Sequence, residues 1–374
     1  AASMLDRFKV PQADQVRVSE AALRRTVTSI FERMHLTPED AALGADVLVT
    51  TDLRGVESHG VSNMLRSYVR SYQQGAINPQ PRWRIVRESP STATIDGDGG
   101  LGIILGPKAM QIAIDKARTA GVGIVTMYNG RHLGAAGYHA MLAAQEDMVG
   151  MCMTATQPSV VPTFGAEARF GTNPIAIAAP AKTQPPFLFD AATSSVAANK
   201  VQLAARVGSN LLPGWVTDKE GNPIMTETPP AAVRSDYLLL PLGATRELGS
   251  HKGYGLALMV ETLATLLSGT LPFGLDRSTG YKHFFAAYNI AAFTDVDVFK
   301  ANMDETLTWF RETRPVPGQE RVVYPGLLEY EEAEERRAHG IPLHAEVVQW
   351  FGQITNELGL PALVTLEQAA EARG

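Results

Sequence analysis

The sequence predicts an α+β fold, in which a helical opening part is followed by a part that contains short strands and helices. The opening carries clear helix signals: Thr37 precedes Pro38 and two acidic residues, which is typical of a capped helix N-terminus. Further along, short β-type runs alternate with helical patterns. A chain of 374 residues that is 45% hydrophobic can bury a large core, divided between two or three domains.

The patterns give the following expected elements, in chain order. Helices are expected at about residues 20–34, 38–52, 62–74, 107–120, 135–146, 253–267 and 343–358. Strands are expected at residues 92–95, 122–127, 149–154, 175–178 and 187–189. The tail from residue 328 is dense in Glu and Arg, which predicts a solvent-exposed helix. The predicted domains are a helical part (1–80), the sheet domain (81–270), and a mixed segment (271–374) that returns to the sheet domain and ends in helices packed on the first part.

Composition excludes several classes of partner. The net charge is −6 and no block of basic residues occurs, which argues against nucleic acid or an anionic membrane as a partner. No apolar run reaches the roughly 18 residues that a membrane-spanning helix needs. Cys152 is the only cysteine, which excludes an internal disulfide and favours a cytoplasmic location. The histidines lack the paired spacing of metal ligands, so no metal site is expected.

One motif matches a dinucleotide-binding pattern and is nevertheless rejected. Residues Gly97–Gly102 read G-x-G-x-x-G between a predicted strand and a helix. However, Asp98 would put a carboxylate where a pyrophosphate must lie. The next predicted strand ends near Met127–Asn129, where no acidic residue is available to bind a ribose hydroxyl. The pattern is therefore interpreted as a turn, and a Rossmann domain is not predicted.

The first candidate site is the segment Arg54–Gly60, which reads Arg-Gly-Val-Glu-Ser-His-Gly between two predicted helices. Histidine is the side chain whose ordinary pKa suits proton transfer near neutral pH, and the glycines leave space beside it. The alternative is an ordinary surface loop. The second candidate is Asn129–Tyr138, where His132 follows a strand among glycines and alanines. The alternative there is a histidine that caps a turn.

Two further segments suit an anionic ligand. Phe189–Ser195 ends a strand with Asp190 followed by small and hydroxyl residues, which exposes backbone N–H groups. Gly249–Leu256 places Lys252 at the start of an apolar helix, where a cation is disfavoured by the helix dipole unless an anion is shared. A plain capping turn and a solvent-exposed lysine are the alternatives. A serine hydrolase is excluded because no G-x-S-x-G segment is present.

Taken together and in this order, these motifs resemble the second malate/L-lactate dehydrogenase family, which includes sulfolactate, ureidoglycolate and diketogulonate dehydrogenases and cyclic-imine reductases. The resemblance covers nearly the whole chain. It rests on Asp52-x-Arg54-Gly55-x-x-Ser58-His59-Gly60, Gly171-Thr172-Asn173-Pro174, Phe189-Asp190-x-Ala192-Thr193 and Lys252-Gly253-Tyr254-Gly255. It implies a homodimer with a helical domain and a mixed, largely antiparallel, non-Rossmann sheet domain that binds NAD or NADP.

The resemblance also implies roles for individual residues. His59 is the proton donor and acceptor in some relatives, while others use the position of His132, so the two are rival assignments. Ser58 and Asp190 would orient the reacting groups. Arg54 and Asn63 occupy substrate-binding positions. The predicted cofactor-binding positions are Thr156, Thr172, Asn173, Asp190, Ala191, Ala192, Thr193, His251, Lys252 and Gly326.

Two positions depart from the family pattern. Asn63 stands where relatives often have an arginine that binds a substrate carboxylate, and Leu327 follows the Tyr-Pro-Gly turn where Glu is usual. The resulting hypothesis is hydride transfer between a nicotinamide cofactor and a small 2-hydroxy or 2-oxo carboxylate, with malate or lactate as examples. The alternatives are a reductase of a cyclic imine or 2-imino acid, and a cofactor-binding protein that has lost activity.

Overall fold

The structure, a computed structural model, describes residues 4–231 and 237–374. Its α-helices are α1 (Glu20–Arg33), α2 (Pro38–Leu53), α3 (Val61–Gln73), α4 (Gly102–Ala120), α5 (Ala136–Ala144), α6 (Ala198–Val207), α7 (Ser250–Val260), α8 (Val296–Arg311), α9 (Leu327–His339), α10 (Ala345–Glu357) and α11 (Leu366–Glu371). Its strands are β1 (Gln15–Val18), β2 (Arg84–Glu88), β3 (Thr92–Asp96), β4 (Val122–Gly130), β5 (Met148–Ala155), β6 (Ile175–Ala179), β7 (Phe187–Ala191), β8 (Tyr281–Asn289) and β9 (Ile341–His344).

The chain forms two compact units. The first combines the chain up to Gln80 with Leu327–Gly374, and the second is Pro81–Gly326. The three-part division expected from the sequence stays a prediction. Residues 271–326 belong with the sheet-containing unit, whereas the helices of the tail belong with the helical one.

The first unit is helical, as expected from its start signals. Ser19 and Thr37 cap α1 and α2 by accepting from the backbone N–H three residues on, at 3.1 and 3.2 Å. The C-terminal part of the chain is joined to this unit by a two-stranded sheet, in which β9 pairs antiparallel with β1. The predicted helices at 20–34, 38–52 and 62–74 are confirmed by α1, α2 and α3.

The second unit is built on a seven-stranded sheet in the order β2-β3-β4-β8-β5-β6-β7. Only β3 and β4 run parallel, joined by α4, and every other described pairing is antiparallel. The prediction of a mixed, largely antiparallel sheet is therefore confirmed. Helices α4 and α5 supply an alanine-rich core against this sheet, together with residues such as Ile95, Val125 and Phe285.

Strand β8 was not predicted, although it lies at the centre of the sheet between β4 and β5. Its sequence shows no alternation of apolar and polar residues because both of its faces are covered. Lys282 and His283 are completely buried there, and two such polar residues together do not suggest a central strand.

Strands β1, β2 and β9 and helices α6, α8 and α11 were not predicted either, and three of the predicted helices differ in detail from expectation. Helix α4 begins at Gly102, five residues before the expected start. Pro107, the predicted start signal, lies inside the helix. The α-helical part of the predicted helix at 253–267 ends at Val260, and the chain then forms one π-helical turn, Glu261–Thr265. The acidic and basic tail helix α9 is not wholly exposed, because Arg336 is 4% exposed. Within the described residues, no helix is long and apolar enough to cross a membrane.

Candidate active site

The Ser58–His59 pair lies in the first unit, on a single 3-10 turn between α2 and α3. The Ser58 hydroxyl is 2.8 Å from His59 Nδ1. The imidazole is half-buried, and burial lowers its pKa to about 4, so the ring is neutral at pH 7. A hydroxyl can donate to the neutral ring or accept from the protonated ring, so this contact is compatible with both protonation states.

The buried side chain of Asp52 connects the two helices on either side of this turn. Asp52, in the last turn of α2, is 1% exposed, and its Oδ2 accepts from the N–H of Val61 at 2.7 Å, at the start of α3. Its Oδ1 has no hydrogen-bond partner among the described residues, and burial raises its pKa to about 7. A Cβ at Gly60 would overlap the carboxylate, which explains why glycine follows the histidine.

Arg336 of α9 connects the same turn to the tail of the chain. Its guanidinium donates to the carbonyl oxygen of Asp52 at 2.7 Å, to Glu57 Oε1 at 2.8 Å and to Glu332 Oε1 at 2.9 Å. Sequence reasoning missed this residue. The only local signal is the Glu332–Arg336 spacing of four residues, which is common on exposed helices and therefore does not indicate burial.

The two predicted substrate-binding positions lie on either side of the turn. Arg54 is the half-buried residue that follows α2. Asn63, in the first turn of α3, donates its amide to the carbonyl of Glu57 at 3.1 Å. Asn63 therefore braces the turn that carries His59, a contact that the sequence does not reveal.

The second candidate histidine, His132, lies in the other unit, in the loop between β4 and α5. The backbone N–H of Gly134 donates to its Nδ1 at 3.3 Å. Because Nδ1 accepts in this contact, the neutral ring carries its proton on Nε2. His132 is half-buried.

Asp190 is brought next to the loop of His132. It stands near the end of β7, and its Oδ2 accepts from the N–H of Gly137 at 2.7 Å, in the first turn of α5. A carboxylate at a helix N-terminus is favoured by the helix dipole. The structure thus brings together the second and third candidate segments, which lie more than fifty residues apart in the sequence.

The predicted cofactor-binding threonines surround Asn173. Thr193 Oγ1 donates to the carbonyls of Thr172 and Asn173, both at 3.1 Å. Asn173 is completely buried, and its amide donates to Glu261 Oε1 at 3.2 Å, while its Oδ1 accepts from the N–H of Thr156 at 3.4 Å. Asn173 therefore holds these segments from inside, whereas Thr156 and Thr172 are half-buried at the surface.

The start of α7 packs on the same region. Leu242 donates its N–H to the carbonyl of Thr193 at 2.9 Å, and Gly253 approaches Leu242 so closely that a Cβ would overlap its backbone. Gly249 precedes the helix and supplies no capping side chain. His251 and Lys252, in the first turn, are exposed. A cavity of about 430 Å³ opens beside this helix start and is lined in part by Ser250 and Arg246.

The Tyr-Pro-Gly turn contacts the strand that carries Asp190. The carbonyl of Pro325 accepts from the N–H of Leu188 at 3.1 Å, and the hydroxyl of Tyr324 donates to the carbonyl of Pro185 at 2.7 Å. Gly326 has φ +99°, and a Cβ there would lie 2.9 Å from the backbone of Leu188. Ala191 and Ala192, which follow on the same strand end, are half-buried.

Comparison with known proteins identifies the family of the chain. The family described as malate/L-lactate dehydrogenase matches residues 18–351. The chain belongs to the malate/L-lactate dehydrogenase family. A malate dehydrogenase of Pyrococcus abyssi is 41% identical over 93% of this chain and 96% of its own. An L-sulfolactate dehydrogenase of Methanocaldococcus jannaschii is 36% identical over 90% of this chain and 96% of its own.

Solved structures support the same family assignment. The malate dehydrogenase of Pyrococcus horikoshii superposes with a TM-score of 0.85 at 36% identity, covering 95% of this chain and 98% of that one. A delta1-piperideine-2-carboxylate reductase of Pseudomonas syringae superposes with a TM-score of 0.77 at 28% identity, covering 90% and 99%. The protein is thus an oxidoreductase of the 2-hydroxyacid dehydrogenase type, for which a nicotinamide cofactor is implied.

The residues of the second unit fit such a cofactor. The first turn of α7 offers backbone N–H groups, the positive end of the helix dipole and the exposed Lys252, a donor set suited to a phosphate. The half-buried segment Ala191–Ala192 presents small side chains that allow close approach. Among residues 4–231 and 237–374, no group of three or more His, Cys, Asp or Glu residues is arranged to hold a metal ion.

Proposed function

We propose that the protein catalyses reversible hydride transfer to a small 2-oxo carboxylate, with malate and oxaloacetate as the first pair to test. The observation that carries the mechanism is the 2.8 Å contact between Ser58 Oγ and His59 Nδ1. Malate dehydrogenases at 41% and 40% identity support the choice of substrate.

His59 exchanges the proton in this proposal. The protonated ring gives its Nε2 proton to the substrate oxygen during reduction, and the neutral ring takes a proton at Nε2 during oxidation. Ser58 stabilises both states, because its hydroxyl accepts from Nδ1–H whether or not Nε2 carries the exchanged proton. The lowered pKa of about 4 favours the neutral ring, which is the form that removes a proton from a hydroxyl group.

His132 is the rival for this role. Its Nδ1 accepts from Gly134, so protonating this nitrogen would break that hydrogen bond. This favours a ring that keeps one tautomer and donates from Nε2 to polarise a carbonyl oxygen. Replacing each histidine separately distinguishes proton transfer from polarisation.

The cofactor, when bound, supplies or accepts the hydride at its nicotinamide ring. Thr156, Thr172, Thr193 and the segment Asp190–Ala192 hold it in this proposal, with Asn173 and Gly326 fixing their backbones. His251 and Lys252 bind its phosphates at the start of α7. Either NAD or NADP fits this donor set.

The cofactor is proposed to bind without a Rossmann phosphate loop. Asp98 lies in the glycine-rich turn with φ +49°, and its Oδ2 accepts from the N–H of Arg82 at 2.8 Å. At Gly102, where α4 begins, a Cβ would lie 2.7 Å from the carbonyl oxygens of Arg131 and His132. The helix start is therefore already packed against protein backbone.

The test follows the absorbance of NADH and of NADPH with a panel of 2-oxo acids, in the wild type and in His59→Ala. Turnover of one oxo acid that is lost in the variant would support the reaction, the cofactor and the proton donor together. Tight cofactor binding with no turnover across the panel would contradict the proposed substrate class.

A reductase of cyclic imines is the second candidate, because the Pseudomonas syringae structure of that name superposes over 90% of this chain. Asn63, in place of the family's arginine, points to a changed substrate pocket. Adding a cyclic 2-imino acid to the same panel separates the two reactions. Faster turnover of the imine than of any oxo acid would favour the reductase.

A homodimer is also proposed. Helix α7 and the following turns expose an apolar surface in which Leu256, Leu258, Met259, Leu266 and Leu267 are 36–58% exposed. Such a surface is typical of a protein interface. Sedimentation of the wild type against Leu258→Lys tests it, because a charge in a dimer interface would yield monomers. The single buried Cys152 supports a cytoplasmic location.

A further inference from the structure

Two buried histidines lie next to the loop that carries His132. His139, in α5, and His283, in β8, are both 0% exposed. The proposed reaction gives neither of them a role. Burying an imidazole is costly unless its nitrogens are used, so their contacts indicate what each ring does.

Each ring directs one nitrogen at a backbone carbonyl of the loop. His283 Nε2 is 3.0 Å from the carbonyl oxygen of Arg131, and His139 Nε2 is 2.9 Å from that of Leu133. A carbonyl oxygen only accepts, so both rings carry a proton on Nε2 and donate it. The two acceptors belong to the residues immediately before and after His132.

The rings are themselves fixed in place. The hydroxyl of Thr154 lies 2.8 Å from His283 Nδ1 and can donate to it. Phe285 meets both imidazoles edge-on, with centroids 6.0 Å from His139 and 6.2 Å from His283. A Cβ at Gly106 of α4 would lie 2.5 Å from the His139 ring, so that ring packs directly against the glycine of α4.

Both rings are neutral at pH 7. Burial lowers the pKa of His139 to about 4, and burial together with the neighbouring His139 lowers the pKa of His283 to about 3. His139 Nδ1 has no hydrogen-bond partner among the described residues. Within the described residues, the only hydrogen bond of the His139 ring is therefore the one from Nε2 to the carbonyl oxygen of Leu133.

We propose that His139 and His283 are positioning residues that hold the backbone on both sides of His132 and so fix the direction of its imidazole. The effect on turnover rests on the proposed function. The effect on the loop does not, because it follows from the two hydrogen bonds alone.

The test compares two kinds of substitution in the full-length protein. His139→Phe and His283→Phe keep a ring but remove the donor, whereas His139→Gln and His283→Gln retain an amide N–H near the position of Nε2. Ile114→Ala, in the same core, is the matched control that destabilises the unit while leaving both histidine side chains as hydrogen-bond donors. Amide hydrogen exchange over residues 130–138 and steady-state kinetics are measured for each.

Both Phe variants are expected to speed exchange in residues 130–138 beyond the change in Ile114→Ala. They should lower kcat by about 10²-fold with little change in KM, because a small displacement of a reacting group costs about that much. The Gln variants should restore slow exchange and most of kcat. Phe variants that match Ile114→Ala in both measurements would overturn the inference.

A measurement on the wild type covers variants that fail to fold. Nitrogen-15 NMR of labelled histidines should show the Nε2–H tautomer for His139 and His283, and an Nδ1–H tautomer for either would overturn the inference. The two proposals fail separately. A wild type that is inactive on every oxo acid leaves the exchange data to decide the positioning role, whereas an active wild type with unchanged loop exchange in the Phe variants contradicts only that role.

Discussion

The turn of His59 and the loop of His132 hold an imidazole by opposite means. Next to the turn of His59, the buried guanidinium of Arg336 donates to the carbonyl of Asp52 and to the carboxylate of Glu57. Around His132, the supporting side chains His139 and His283 are neutral and act on the backbone. At His59 the hydroxyl of Ser58 can accept from Nδ1–H, so Nε2 can lose and regain a proton, whereas at His132 the donation of Gly134 to Nδ1 keeps the proton on Nε2. This difference favours proton exchange at His59.

The largest effect is expected from removing that proton donor. His59→Ala should lower kcat by about 10²–10⁴-fold, the usual contribution of general acid–base catalysis, without weakening cofactor binding. Steady-state kinetics and fluorescence titration of NADH and NADPH measure the two quantities. His339→Ala is the control, because that histidine is 70% exposed on α9. If His132→Ala loses activity while His59→Ala keeps it, the two roles must be exchanged.

Arg336→Met should destabilise the first unit by about 3–5 kcal/mol, because it leaves the carboxylate of Glu57 buried without its partner. The side chains of Arg336 and Glu57 are only 5% and 10% exposed. Denaturant unfolding measures the loss. Arg337→Met, at a neighbouring position that is 54% exposed, should change stability by less than about 0.5 kcal/mol. Equal effects of the two substitutions would show that the buried ion pair is not what holds the turn.

The two regions should respond differently to pH. His139 and His283 have pKa values lowered to about 4 and 3, so between those values and 6.5 only the unfolded chain binds their protons. The second unit therefore loses stability as the pH falls below 6.5, by up to about 1.4 kcal/mol per pH unit for each group. In the first unit, His59 acts in the same direction.

In the first unit, Asp52 has the opposite effect to that of His59 on the pH dependence of stability. Its pKa of about 7 lies above the ordinary 3.8, so the folded chain binds a proton that the unfolded chain has lost, and stability falls as the pH rises from about 4 to 7. We expect the first unit to be less sensitive to acid than the second. Hydrogen exchange of each unit, corrected for intrinsic rates, tests this. Asp52→Asn should make the first unit acid-sensitive, and an unchanged profile would refute the assigned role of Asp52.

The smallest effect is expected at Asn63. Asn63→Ala removes one hydrogen bond to the carbonyl of Glu57 and should cost about 0.5–1.5 kcal/mol. Thermal unfolding measures this cost, with Ser62→Ala on the same helix turn as a comparison. A larger drop in kcat than His59→Ala produces would instead give Asn63 a direct part in the reaction.

Local signals predicted much of the fold. Caps at Ser19 and Thr37, together with apolar periodicity, located α1, α2 and α3, and short β-type runs located the strands from β3 to β7. They did not reveal β8, because a strand covered on both faces lacks alternation and here carries a buried lysine and histidine.

The candidate site was predictable as a set of segments but not as a set of contacts. The motifs containing His59, His132, Asp190 and Lys252 stand out in the sequence. The bonds that organise them join distant positions, such as Arg336 with Asp52 and His283 with Arg131, which lie 284 and 152 residues apart. No local pattern encodes such a pairing, since each partner is an ordinary residue within its own element.

The position of β8 also bears on how the chain reaches this structure. The strand lies between β4 and β5, so its sheet partners are synthesised more than a hundred residues earlier. Until residue 289 has been made, those two strands present open edges to whatever is nearby, a state prone to wrong pairing. Sheet formation therefore depends on contacts of large sequence separation, which slow folding. The same late strand delivers His283 to its loop, so the region around His132 acquires its support only when the sheet closes.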